Sequence, residues 1–191
     1  MKQQQRQALE KALWWGWKFP YRESPRFPVG NHGRWHHIRD LPREDLSPTG
    51  RLHETAQEVT GESGTDSYLV AAYLLALASW PLEGRQSPVE GPSLGHALAF
   101  AEPLKKPTGR TRAEAHVHQV IAHRTRTEEI LHAVTGAVRH CWKVGQPVHL
   151  AETAPLLVEL IDPSEKVRYQ ASLRIAQDYQ HTLYNRRKVP A

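Results

Sequence analysis

DSYLVAAYLLALAS, residues 66–79, is apolar nearly all round and opens on an acid. At fourteen residues it is too short to cross a bilayer, where about 20 are needed. It therefore predicts the central buried helix of a bundle. Working outward from it, every segment with a period has the helical one. Upstream, residues 3–18 place Leu9, Leu13 and Trp17 four apart on one face of a short helix. Downstream, GPSLGHALAFAE at 91–102 predicts another helix with Pro92 in its first turn. After the breaker KKPTGR, a helix is expected from Arg112 to about Arg124, apolar at Val117, Val120 and Ile121. A longer one from Thr127 is apolar at Leu131, Val134, Val138 and Cys141, and Gly145-Gln-Pro147 ends it.

Pro155 allows a short helix from about Ala154 to Ile161, with Thr153 as cap, and Asp162-Pro163 reads as the cap and first residue of the last helix. That helix aligns Tyr169, Leu173 and Ala176 on one side, and beyond His181 the tail carries Asn-Arg-Arg-Lys. No alternating strand pattern of useful length occurs, and no solenoid repeat. The reading is an all-α, two-lobed helical bundle, with an N-terminal lobe over 1–108 and a C-terminal bundle over 109–191. Within the first lobe, residues 19–64 form a long irregular segment in which prolines and glycines alternate, an arrangement more often functional or mobile than inert. Leu52, Ala56 and Val59 hint at one short helix inside it.

The 191 residues carry 25 Lys and Arg against 20 acids, a net charge of +5, with twelve histidines besides. Residues 111–191 hold 11 basic and 8 acidic groups, a mild excess that points to a polyanion partner as readily as to a solvated surface. No run of 18 apolar residues is present and the first residues lack a secretory h-region. With Cys141 the only cysteine, no internal disulfide can form. A cytoplasmic chain without a membrane segment is the expectation.

Catalytic motifs are lacking. His116 and His118 are two apart and His36 and His37 adjacent, spacings that do not face one another on a helix, and no His-Glu-x-x-His run occurs. A site built on His116 and His123 would need further ligands brought by folding. Cys141 lies on an apolar stripe and reads as a small hydrophobe. No nucleophile elbow or phosphate-binding loop is found. The expectation is a protein that is not an enzyme and carries no metal or other cofactor.

The cations are more coherent. His132, Arg139 and Lys143 fall at i, i+7 and i+11, away from the apolar stripe of their helix. Arg124 and Arg126 precede that helix, Arg110 and Arg112 open its neighbour, and Lys166, Arg168 and Arg174 belong to the last helix. Long cationic side chains on a rigid face suit phosphate contacts, which need no base code; a merely solvated face is the plainer reading.

SYLVAAYLLAL at 67–77 followed by GPSLGHAL at 91–98, then IAHRTRTEEILHAV at 121–134 and PSEKVRYQASLRIAQDY at 163–179, resembles the CasB-type small subunits of type I-E CRISPR Cascade complexes, in order and with similar spacing over about residues 66–180. In this resemblance Arg124 falls on the family arginine between two helices. Lys11 falls at the basic position of an early helix, while His96 and His132 stand where arginines usually sit. The resemblance implies an all-α, non-catalytic subunit of an antiviral surveillance complex, present in two copies. It would bridge the large subunit and the repeated backbone subunits around the guide RNA, and hold single-stranded DNA of the R-loop. Candidate contacts are Arg124, Arg126, His132, Arg139, Lys143, His96, Lys166, Arg168 and Lys11. If His96 and His132 touch phosphate, binding strengthens as pH falls through their titration; otherwise Arg126 and Arg139 carry the contact. The tryptophans Trp14, Trp15, Trp17 and Trp35 read as an interface with a neighbour, with base stacking the other possibility.

Two rivals make different predictions. A transcription regulator would place a helix-turn-helix in residues 127–161, although 154–161 is poor in Arg, Lys, Asn and Gln for a recognition helix. A histidine-rich metal hydrolase would hold bound metal.

Overall fold

A computed structural model describes residues 3–18, 56–61, 66–79, 84–103, 109–122 and 127–188. Among these residues the chain is all-α, with no strand. The helices are α1 (Gln3–Lys18), α2 (Asp66–Ser79), α3 (Leu94–Phe100), α4 (Arg112–Ile121), α5 (Thr127–Lys143), α6 (Leu150–Leu160) and α7 (Glu165–Lys188). A further helical turn covers 56–60, where Ala56 and Val59 are buried. Most of the irregular segment, including Leu52 and Trp35, lies outside the described residues.

α2 is the central helix that its composition predicts. Val70, Ala71, Tyr73, Leu74, Leu75, Leu77 and Ala78 are all buried, an arc of about 200° around its axis. Tyr73 brings a hydroxyl inside, and it is satisfied there. The hydroxyl donates to the Leu131 carbonyl at 3.0 Å and lies 2.8 Å from Thr135 Oγ1. α1 packs on α2 and α6, α3 lies along α7, and α4 pairs with α5. One cluster of buried side chains runs from Leu9 to Leu183, so the stretches on either side of residue 108 share a core.

The stripes read from spacing are buried on α1 (Leu9, Leu13) and α5 (Leu131, Val134, Val138, Cys141). On α4, Val117 and Val120 are buried and Ile121 half-buried. On α7 the inward stripe differs from the expected one. Ala171, Ile175, Tyr179 and Leu183 face the core, while Tyr169 and Leu173 are exposed. Two apolar rows run along this helix, and the inner one is selected by a tyrosine whose hydroxyl finds a buried partner, Glu102.

Helix ends also move. α3 begins at Leu94, after Ser93, because Pro92 belongs to a connection whose carbonyl accepts from His149 N at 2.9 Å. α4 stops at Ile121, where Ala122 turns to ψ 129°, rather than reaching Arg124. α6 starts four residues earlier than expected, capped by the His149 imidazole, and so encloses Pro155. Thr153 is no cap: its Oγ1 is buried and accepts from Leu94 N at 3.2 Å. α7 begins at Glu165, with Asp162 Oδ1 accepting from Ser164 N in the turn before it, and continues past His181 through the Asn-Arg-Arg-Lys tail.

Two contacts fix how the elements meet. Arg85 sends one guanidinium nitrogen to the Ala78 carbonyl at 2.9 Å and another to the Trp17 carbonyl at 2.7 Å. It thereby caps the C-terminal ends of α2 and α1 together. Gly95 lets α3 lie on α7, since a Cβ there would stand 2.9 Å from both the Ile175 carbonyl oxygen and Asp178 Cβ. The second glycine of the GPSLGHAL motif is thus a close-approach residue.

Candidate nucleic-acid interface

α5 is amphipathic: Ile130, Leu131, Val134, Val138, Cys141 and Trp142 are locked into the core. Opposite them His132, Arg139 and Lys143 are exposed, as their spacing predicts. At 100° per residue the three lie within about 40° of one another, over about 16 Å of helix. Glu129 opens the same side at the N-terminal end, leaving the positive groups toward the C-terminus, where they also complement the helix dipole.

The other candidates are placed apart from this face, on other elements. Lys11 is exposed on α1 and Lys166 on the first turn of α7. Arg168 is half-buried and donates to the carbonyls of Asp162 at 2.6 Å and Pro163 at 2.8 Å, which clamps the turn that enters α7. His96 is half-buried between α3 and α7: its Nδ1 is 2.7 Å from Thr182 Oγ1, and its Nε2 is 3.7 Å from Asp178. Arg124 and Arg126 lie outside the described residues. Arg174 pairs with Glu159 of α6.

Beside the α5 face, His116 of α4 and His140 of α5 bring their rings to 5.2 Å. Gly136 lies beside the His116 ring; a Cβ there would stand 3.4 Å from His116 Cε1, at ordinary contact distance. Burial lowers both imidazole pKa values below the usual range, and Arg112 lowers them further. His118 is 3.9 Å from Glu114 and turned from this pair. Among the described residues no three His, Cys, Asp or Glu side chains are grouped to hold a metal ion. Cys141 is fully buried, and burial pushes its thiol up to about 12, away from nucleophilic use.

α7 carries further cations at its end, past His181 and the expected apolar row. Arg186 donates to the carbonyls of Ala99 and of Glu102, the latter at 3.1 Å, and lies 5.3 Å from the Phe100 ring centre. Arg187 and Lys188 are exposed, with Lys188 Nζ 4.3 Å from the Tyr184 ring centre. The Asn-Arg-Arg-Lys run was the available signal.

Compared with family models, with curated proteins and with solved structures, the chain matches none.

Proposed function

We propose that this chain is a non-catalytic small subunit of a CRISPR RNA-guided surveillance complex that holds single-stranded DNA. The observation that carries the reading is the outward face of α5. There Arg139 and Lys143 stand exposed beside His132 on a helix whose other side is fixed in the core. Cations on a rigid support contact phosphates at little entropic cost. The ordered motifs over residues 66–180 add to it: their apolar residues form α2 and their glycine seats α3 on α7. Strand exchange in an R-loop is nearly balanced in free energy, so a few phosphate contacts to the displaced strand tip it. Each such contact contributes about 0.7 to the salt dependence of single-strand binding. Bridging of a large subunit and backbone subunits, and pairing with a second copy, belong to the same proposal.

The regulator reading is less well supported. Six of the eleven residues of α6 are buried, and those exposed are Glu152 and Pro155. An acid and a proline do not make a surface for reading a major groove.

The test is a tagged pull-down from the organism that encodes the chain, at moderate salt, with protein masses and bound RNA both determined. Recovery of a large assembly holding one uniform, repeat-bearing RNA is the expected result. A chain that emerges alone, or with duplex DNA and no RNA, overturns the proposal.

A further inference from the structure

The outer side of α7 is a surface that the α5 face leaves unused. Lys166, Tyr169, Leu173, Tyr184 and Arg187 are all exposed and fall within about 60° around the helix axis. Tyr169 is 52% exposed and Tyr184 58%, values at which a phenol ring meets solvent over a large part of its surface. The space between them is filled by uncharged glutamines, Gln177 and Gln180 among them. The helix has two acids, and neither interrupts the row. Asp178 faces His96 of α3, and Glu165 stands in the first turn, about 100° round from Lys166. Lys188 reaches over the Tyr184 ring at 4.3 Å, so positive charge and an aromatic surface occur together at the C-terminal end.

Exposed aromatic rings interleaved with cations, with amides between and no carboxylate, complement a polyanion that carries flat bases. We infer that this face of α7 is a stacking platform for single-stranded nucleic acid. Bases lie on Tyr169 and Tyr184, and phosphates meet Lys166, Arg187 and Lys188. The inference rests on the proposed function for its ligand and adds a second surface and a different contact, ring on base, to the phosphate contacts of α5. Tyr169 and Tyr184 are fifteen residues apart, about 22 Å along the axis. A stacked strand at 3.4 Å per nucleotide spans that distance in about seven nucleotides.

The test uses the full chain and a fluorescein-labelled dT12, read by anisotropy over a salt series, with heparin as a polyanion without bases. The double variant Tyr169→Ala/Tyr184→Ala is expected to bind dT12 at least tenfold more weakly, with heparin affinity unchanged. Tyr169→Phe/Tyr184→Phe retains binding, because the ring and not the hydroxyl is used. Arg187→Glu/Lys188→Glu lowers the salt slope by about 1.4. Wild-type affinity for dT12 in the alanine pair overturns the inference, and so does an equal loss for heparin. If Arg139→Glu/Lys143→Glu abolishes dT12 binding while the alanine pair does not change it, the α7 platform falls and the α5 reading stands. A wild-type chain that ignores dT12 removes both.

Discussion

Tyr179 donates its hydroxyl proton to Glu102 Oε1 at 2.5 Å, and Thr111, the N-cap of α4, donates to the same oxygen. One buried carboxylate therefore joins the end of α3, the start of α4 and the middle of α7. Its other oxygen is buried and makes no hydrogen bond. Removing a donor from such a group costs more than an average hydrogen bond, because no solvent replaces it. Tyr179→Phe is expected to lose about 2 kcal/mol of stability, read as a lower urea midpoint at unchanged slope.

The same pair sets behaviour at high pH. Burial and the neighbouring Glu102 raise the pKa of Tyr179, and burial raises that of Tyr73. A phenol whose folded pKa exceeds the unfolded value near 10 contributes stability that is complete below that pH and is lost as pH rises through the folded value. Absorbance titration at 295 nm should show two of the six tyrosines ionising only with unfolding. Six tyrosinates forming together in a still-folded chain would refute this.

At low pH the histidines take over. His116, His140 and His149 have lowered pKa values, chiefly through burial. Their stabilising contribution is present above about pH 6.5 and lost as pH falls through the lowered folded values. His149 adds a specific reason, since its Nδ1 accepts from Glu152 N at 3.2 Å and a protonated ring cannot accept. His149→Asn keeps an acceptor at the cap and should flatten the acid limb of the stability curve, whereas His149→Ala should cost about 1 kcal/mol at neutral pH.

Gly95→Ala should be disproportionately harmful. The added methyl meets the Ile175 backbone, which cannot yield as a side-chain tip can. A loss of about 2 kcal/mol is expected, measurable by thermal unfolding; a neutral result would mean that α3 slides on α7 without cost.

Arg139→Glu/Lys143→Glu should lower single-strand affinity and reduce the salt slope by about 1.4, with the melting temperature changed by no more than a degree or two. Both side chains are exposed, so lost binding with intact folding separates function from stability.

The helices were legible where one apolar row faced one core. α1, α2 and α5 follow their spacing because each has a single stripe, or none that could compete. α7 was misread for the opposite reason: it bears two rows, and only the tertiary partner Glu102 decides which turns inward. The start of α6 was hidden because its cap is an imidazole rather than a hydroxyl or carboxylate. Of the candidate contacts, His132, Arg139 and Lys143 followed from helical periodicity alone. The occupation of Arg168 by two carbonyls, and of His96 by Thr182, depends on contacts that no local pattern encodes.

The Arg85 clasp bears on the order in which the chain comes together. α1 packs on α2, but two of its polar clasps come from later in the sequence: Arg85 holds its last turn, and Glu152 of α6 pairs with Arg6 near its start. Arg85 in turn lies in a connection pinned by Pro88 and Pro92 to residues 149 and 150. During synthesis α1 leaves the ribosome long before any of these, and at five to twenty residues per second it waits several seconds for them. The clasps on the earliest helix thus close only once α6 has emerged, after α1 has already met α2.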